Sequence, residues 1–162
     1  MTESGDGVYL KMLESDVKKL RVYCCGVFDL CHLGHMILFE NIVKSFDKPI
    51  ELIVGVHSDA ETKNYKREPV IKEEFRYQAV AHCKYVDSVV PEAALVVTAA
   101  FIKENNIDVV IIGEEYRGNK DSVWYQGALE LGVEKYIQRY EPLSSASSFR
   151  FITWHLGPDP TS

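Results

Sequence analysis

Residues 21–46 read RVYCCGVFDLCHLGHMILFENIVKSF, and the fold can be read outward from them. The first part, RVYCCGVF (21–28), is a short apolar run of β-forming residues that ends around Gly26. The last part, HMILFENIVKSF (35–46), carries apolar residues at helical spacing. Cys24 and Cys25 are adjacent on the strand, so their side chains point to opposite faces of a sheet. A strand that is apolar on both faces belongs in a parallel sheet covered by helices on both sides.

The same alternation recurs along the chain. ELIVGV (51–56), YVDSVV (85–90), DVVIIG (108–113) and EKYIQRY (134–140) read as further strands. IKEEFRYQAVAHC (71–83), AAFIKENN (99–106) and SVWYQGALELG (122–132) read as helices, with Thr98 and Ser122 as caps and Gly132 as a stop. HSDAETKNYKREP (57–69) is polar and broken by Pro69, and reads as a loop. The expectation is an α/β fold: a Rossmann-like doubly wound parallel sheet of about five strands with helices on both faces. Ligands of such sheets bind at the carboxyl ends of the strands. With 162 residues the chain is one domain. Residues 1–20 read as a tail and a helix, 21–150 as the domain and 151–162 as a C-terminal tail.

The formal charge of −6 argues against broad nucleic-acid binding, which needs a basic face. It leaves room for an anionic ligand in a local basic pocket. Met1 to Gly7 is polar and acidic rather than a secretory signal, and no apolar run approaches a membrane span. The expected setting is cytoplasmic, with all four cysteines reduced.

Between strand and helix lies Gly26-Val27-Phe28-Asp29-Leu30-Cys31-His32-Leu33-Gly34-His35. A helix N-terminus offers free N–H groups and the positive end of a dipole, so phosphate is its natural guest. Gly34 permits close approach of the backbone. Two imidazoles three apart on a first turn face one side and can donate to phosphate oxygens. Two histidines at this spacing can also ligate a metal, with Cys24, Cys25 and Cys31 nearby. Cys24 and Cys25 point apart, however, and there is no second cluster, so no protein metal ligand is assigned. The chain has neither GxxxxGK[ST] nor GxGxxG.

GVFDLCHLGH (26–35) resembles the GxFDxxHxGH signature of the HxGH nucleotidyltransferases. VGVHSDAET (54–62), NYK (64–66), FRYQAVAHCKYVDSVVPEA (75–93), NNIDVV (105–110) and RYEPLSS (139–145) resemble the cytidylyltransferase branch, in particular the choline-phosphate and ethanolamine-phosphate enzymes. The resemblance implies transfer of CMP from CTP to phosphocholine or phosphoethanolamine, with release of pyrophosphate, in phospholipid precursor synthesis. Mg²⁺ would accompany the nucleotide, held mainly by phosphates and water. It also implies a homodimer that pairs near the HxGH helix and residues 84–90. The alternatives are an adenylyltransferase or glycerol-3-phosphate cytidylyltransferase of the same fold, or a nucleotide-binding domain with little catalysis. LSSASSFR, ending at Arg150, keeps ATP open.

By the same resemblance His32, His35 and Lys66 are the catalytic residues. Gly26, Val27, Phe28, Gly34, Lys84, Gly113, Arg139, Ser144 and Ser145 would bind the nucleotide. Asp29, Arg76, Glu115 and Tyr116 would serve the acceptor, the last two by charge and cation–π attraction to its cationic head. Pro142 stands where the family has glycine, and Leu95 where choline-type relatives tend to carry an aromatic residue.

Overall fold

A computed structural model describes residues 18–140. Within them five strands form one parallel sheet: β1 (Leu20–Gly26), β2 (Ile50–Val56), β3 (Ser88–Val90), β4 (Val109–Gly113) and β5 (Glu134–Ile137). Their spatial order is β3-β2-β1-β4-β5. The chain builds outward from β1 in one direction, then returns to its other side with β4. The crevice between the carboxyl ends of β1 and β4 is therefore the switch point of a Rossmann-like sheet.

Five α-helices accompany the strands: α1 (Leu33–Lys44), α2 (Asp59–Tyr65), α3 (Glu73–Ala81), α4 (Ala99–Glu104) and α5 (Gln126–Leu131). Alternation along β1 divides the core. Val22 and Cys24 pack with Phe39 and Ile42 of α1 and Val80 of α3. Tyr23 faces the other way, toward Ile102 of α4 and Ala128 of α5, and Cys25 packs against that second cluster. The sheet is thus doubly wound, and all four cysteines are free thiols.

Three details differ from the sequence reading. Residues 57–69 are not all loop: Ser58 caps α2 by accepting from the Glu61 N–H, and Asp59 and Glu61 suit the positive end of the helix. Two strands are shorter than read: the last ends at Ile137 rather than 140, and the third is shorter than 85–90, because residues 83–87 turn, with the Val86 N–H bonded to the Cys83 carbonyl. The last helix is not capped by Ser122. A 3₁₀ segment, Lys120–Tyr125, is capped by Asn119 and leads into α5. Thr98 does cap α4, and Gly132, at φ 63°, ends α5 in the left-handed conformation.

Candidate active site

The link from β1 to α1 is a tight turn in which Phe28 and Leu30 both take positive φ, 53° and 61°. Bulky side chains rarely accept this conformation, and such strain gathers at functional sites. The turn drives the Phe28 ring into the core, where it meets the rings of Phe39 and His35, each at 5.3 Å. The His35 ring is thereby fixed from below.

His32 is the N-cap of α1. Its Nδ1 accepts from the Gly34 N–H at 3.1 Å, and His35 Nδ1 accepts from the His32 N–H at 3.2 Å. This is a capping box built from two imidazoles. A backbone N–H only donates, so each Nδ1 must be the acceptor, and each neutral ring carries its proton on Nε2. The rings stack at 3.9 Å. His32 Nε2 is buried and has no hydrogen-bond partner among the described residues. Leaving such a donor unpaired costs about 1–3 kcal/mol unless a ligand accepts from it. Burial, with His32, Arg139 and Lys66 nearby, pulls the His35 pKa down to about 3 against a weaker opposing effect of Asp29. Burial lowers that of His32 too. Both rings are neutral donors at pH 7.

They line a cleft of about 390 Å³ at the carboxyl edge of the sheet. Every strand contributes to it. Cys25, Gly26, Val27 and Phe28 come from β1 and the turn after it, and His57, Tyr65 and Lys66 from the segment after β2. Leu95 comes after β3, Glu115, Tyr116, Trp124 and Tyr125 after β4, and Arg139 and Tyr140 after β5. Lys66 sits at the C-cap of α2, 5.6 Å from the centre of the Tyr65 ring. Lost hydration, Arg139 and Arg67 lower its pKa against the pull of Glu115. Arg139 pairs with Glu115 and lies 5.9 Å from the Tyr116 ring.

The structure thus brings together Gly26, Val27, Phe28, His32, Gly34, His35, Lys66, Glu115, Tyr116 and Arg139. Gly113 ends β4 behind the Glu115 carboxylate, which a Cβ at Gly113 would overlap. Ser144 and Ser145, with Pro142 and Arg150, lie outside the described residues.

Besides Gly113, which does not itself line the cleft, three expected ligand contacts are placed elsewhere. Lys84 is exposed beyond α3, with its ammonium 5.5 Å from the Tyr85 ring, and does not line the cleft. Asp29 is 2% exposed and accepts from the N–H groups of Val70 and Ile71 and from Arg67, at 2.9–3.0 Å. Burial raises its pKa, but these donors outweigh it and hold the carboxylate ionised. Arg76 is 1% exposed. Its guanidinium donates to the carbonyls of Ile71 (2.9 Å), Val27 (2.6 Å) and His57 (2.8 Å) and to Asp59 (2.8 Å). Both residues tie the loops around the cleft together, and neither lines it.

Sequence reasoning missed His57, Tyr65, Trp124 and Tyr125. Three ring contacts make the aromatics one row: Tyr65–Trp124 at 5.4 Å, Trp124–Tyr116 at 5.9 Å and Tyr116–Tyr125 at 5.5 Å. The WY pair at 124–125 is a visible aromatic signal, but in the sequence it falls inside the run read as a helix over 122–132, where aromatics suit a core.

Among the described residues, no group of three or more His, Cys, Asp or Glu is arranged to hold a metal ion. The cleft carboxylate, Glu115, is already paired with Arg139. This donor set does not fit a resident protein-held Mg²⁺.

A family model described as cytidylyltransferase-like matches residues 23–157. Human choline-phosphate cytidylyltransferase A is 38% identical over 130 residues, covering 80% of this chain and 35% of the relative. Choline-phosphate cytidylyltransferase 2 of Arabidopsis thaliana is 41% identical over 96 residues, 59% of this chain and 31% of its own. Ethanolamine-phosphate cytidylyltransferase of Dictyostelium discoideum is 35% identical over 129 residues, 79% and 35%. The chain therefore spans about a third of the length of these curated relatives. Among solved structures, the lipopolysaccharide core biosynthesis protein of Thermoplasma volcanium superposes with a TM-score of 0.59 at 25% identity, over 76% of this chain and all of that one.

Proposed function

The chain belongs to the cytidylyltransferase-like family, and from that premise we propose that it transfers CMP from CTP to a small phosphorylated amino alcohol. A phosphate oxygen of the acceptor forms a bond to the α-phosphorus of CTP. The bond from that phosphorus to the bridging oxygen breaks, and pyrophosphate leaves with the electron pair. No proton has to move to or from a histidine in this step.

The observation that carries the reading is the matched pair of Nε2–H donors at the N-terminus of α1, one of them buried and without a partner among the described residues. Charge that builds on the oxygens around phosphorus is what such fixed donors stabilise best. Lys66 and Arg139 add positive charge along the same cleft. Because both rings are held neutral, they act as hydrogen-bond donors and orienters. The aromatic row with Glu115 suits a cationic head on the acceptor. Mg²⁺ belongs to this reading as part of the nucleotide substrate, on triphosphate oxygens and water.

The reading extends to a cytoplasmic homodimer serving phospholipid precursor synthesis. Leu33 and Met36 of α1 expose apolar side chains, and β3 is an edge strand of the sheet. No helix among the described residues is long and apolar enough to cross a membrane. Sedimentation tests the dimer, and a monomer at micromolar concentration would remove that part.

The test of the activity is pyrophosphate release with CTP and Mg²⁺, offering phosphocholine, phosphoethanolamine and glycerol 3-phosphate, with ATP as the control nucleotide. Release that needs CTP and an amino alcohol supports the reading. Release only with ATP, only with glycerol phosphate, or with no acceptor overturns it.

A further inference from the structure

His57 immediately follows β2 and lines the cleft, yet the proposed reaction gives it no role. It is 3% exposed. Its Nδ1 lies 2.8 Å from the Ala93 carbonyl oxygen. A carbonyl only accepts, so Nδ1 holds the proton and the neutral ring keeps its lone pair on Nε2. This is the opposite tautomer from His32 and His35, so the cleft has two rings that donate and one that accepts. Burial, with Lys66 and Arg76, favours the neutral form over the opposing effects of the Ala93 carbonyl and Glu61.

The surroundings of His57 suit a cation. Its ring meets the edge of Tyr65 at 6.2 Å, and Tyr65 begins the aromatic row through Trp124 and Tyr116. Leu95, two residues beyond Ala93, puts an aliphatic wall in the same cleft. An aromatic face attracts primary and quaternary ammonium alike. A ring nitrogen with a lone pair tells them apart, because only the primary ammonium has N–H to donate. Glu115 is less able to do so, since Arg139 already engages it.

We infer that His57 is a specificity-determining residue whose Nε2 accepts from a primary ammonium, so that the acceptor is ethanolamine phosphate rather than its quaternary counterpart. This rests on the amino-alcohol reading of the same cleft. Two other N–H groups could meet Nε2, the Lys66 ammonium in the same cleft and the amino group of cytosine; with either, the acceptor preference tested below would be absent.

The experiment measures kcat/KM, with CTP and Mg²⁺, for phosphoethanolamine, its N-methyl and N,N-dimethyl derivatives and phosphocholine. The protein as it stands should prefer phosphoethanolamine over phosphocholine by about 10²-fold. That is less than a closed hydrogen-bonding site achieves, because this cleft is open to water. His57→Asn keeps a donor where Nδ1 stood, for Ala93, and removes the Nε2 acceptor. It should bring the preference to within about tenfold while KM for CTP stays within about twofold. The inference is overturned if phosphocholine is used as well or better, if the preference survives in His57→Asn, or if KM for CTP moves instead. Should His57→Asn fail to fold, the methyl series alone decides: a loss concentrated at the third methyl, which removes the last N–H, supports the inference, and a flat, rising or evenly declining series overturns it. Transfer to phosphocholine in preference leaves the cytidylyltransferase reading standing, whereas transfer to none of the four overturns that reading as well.

Discussion

Arg76 is where charge and stability are most tightly joined. The guanidinium is 1% exposed and reaches three loops at once: Val27 after β1, His57 after β2, and Ile71 before α3. Replacing it with methionine keeps much of the volume but leaves three carbonyl oxygens and Asp59 without their donor. Asp59 keeps 24% of its side-chain surface and rehydrates, so most of the loss falls on the carbonyls. Removing one partner from a buried charged network costs about 3–5 kcal/mol, a large share of the roughly 5–15 kcal/mol that holds a domain together. With an m-value of roughly 2 kcal/mol/M in urea, a loss of ~4 kcal/mol lowers the midpoint by ~2 M. Equilibrium unfolding followed by circular dichroism measures this. Arg76→Lys should recover only part of the loss, since a single ammonium cannot span the three carbonyls that the planar fork reaches. A midpoint shift of less than about 0.5 M in Arg76→Met, with only the KM for the acceptor raised, would refute this structural role. Arg76 would then be a ligand contact after all.

Three further outcomes rest on the same geometry. His35→Ala should lower kcat by about 10²-fold or more with the far-ultraviolet spectrum unchanged, and a loss under about tenfold, roughly 1.4 kcal/mol of barrier, would remove the transition-state role. Burial depresses the folded-state pKa of His35 to about 3, below the ordinary value of about 6.5. Its contribution to stability is therefore complete above about pH 6.5 and is lost as pH falls toward 3, because the unfolded chain takes up the proton first. His32 and His57 shift in the same direction, so Tm should fall steadily from pH 7 to pH 4, and a flat Tm between pH 7 and 5 would contradict this. Gly127→Ala places a Cβ in overlap with the Ala99 nitrogen and the Thr98 carbonyl carbon. Backbone cannot move aside as a side chain can, so differential scanning calorimetry should show Tm lowered by at least roughly 5 °C, and an unchanged Tm would mean that α4 and α5 separate without cost.

The fold was legible because the three inner strands of the sheet are apolar on both faces and stand out against polar connections, while the more polar runs at 85–90 and 134–140 form its two edges. Local chemistry at the helix ends was legible in part. Thr98 and Gly132 act as read, but α2 was hidden because its seven residues, DAETKNY, bury only Thr62. It has no apolar stripe to announce it. Its signal was electrostatic instead: the Ser58 cap and the acidic first turn. The helix read over 122–132 failed at its start for a related reason. Residues 120–125 satisfy the same burial in a tighter 3₁₀ winding, with Asn119 rather than Ser122 accepting the first N–H.

The site divides along a different line. His32, His35, Lys66, Glu115 and Arg139 stand where the strand ends had pointed, because the segments that follow β1, β2, β4 and β5 all gather at the carboxyl edge of the sheet. Asp29 and Arg76 look equally functional in sequence, since a formal charge is visible there and its satisfied partners are not. Parallel strands that end side by side leave carbonyls at the cleft rim, such as those of Val27 and His57, which no neighbouring strand completes. A buried arginine satisfies them here, and a buried aspartate does the same for the N–H groups of Val70 and Ile71. Each also meets an opposite charge, Asp59 for Arg76 and Arg67 for Asp29, so the rim is tied together by the chain's own groups. His57 shows the reverse case. Its backbone carbonyl is held by Arg76 and its Nδ1 by Ala93, so its ring is fixed from both ends and only Nε2 is left to choose a partner. An atom held that firmly at the wall of a cleft discriminates by chemistry rather than by adapting its position. Within the cleft the histidines fall into two kinds: His32 and His35, whose Nδ1 accepts and whose Nε2 carries a proton, and His57, whose Nδ1 donates and whose Nε2 keeps a lone pair.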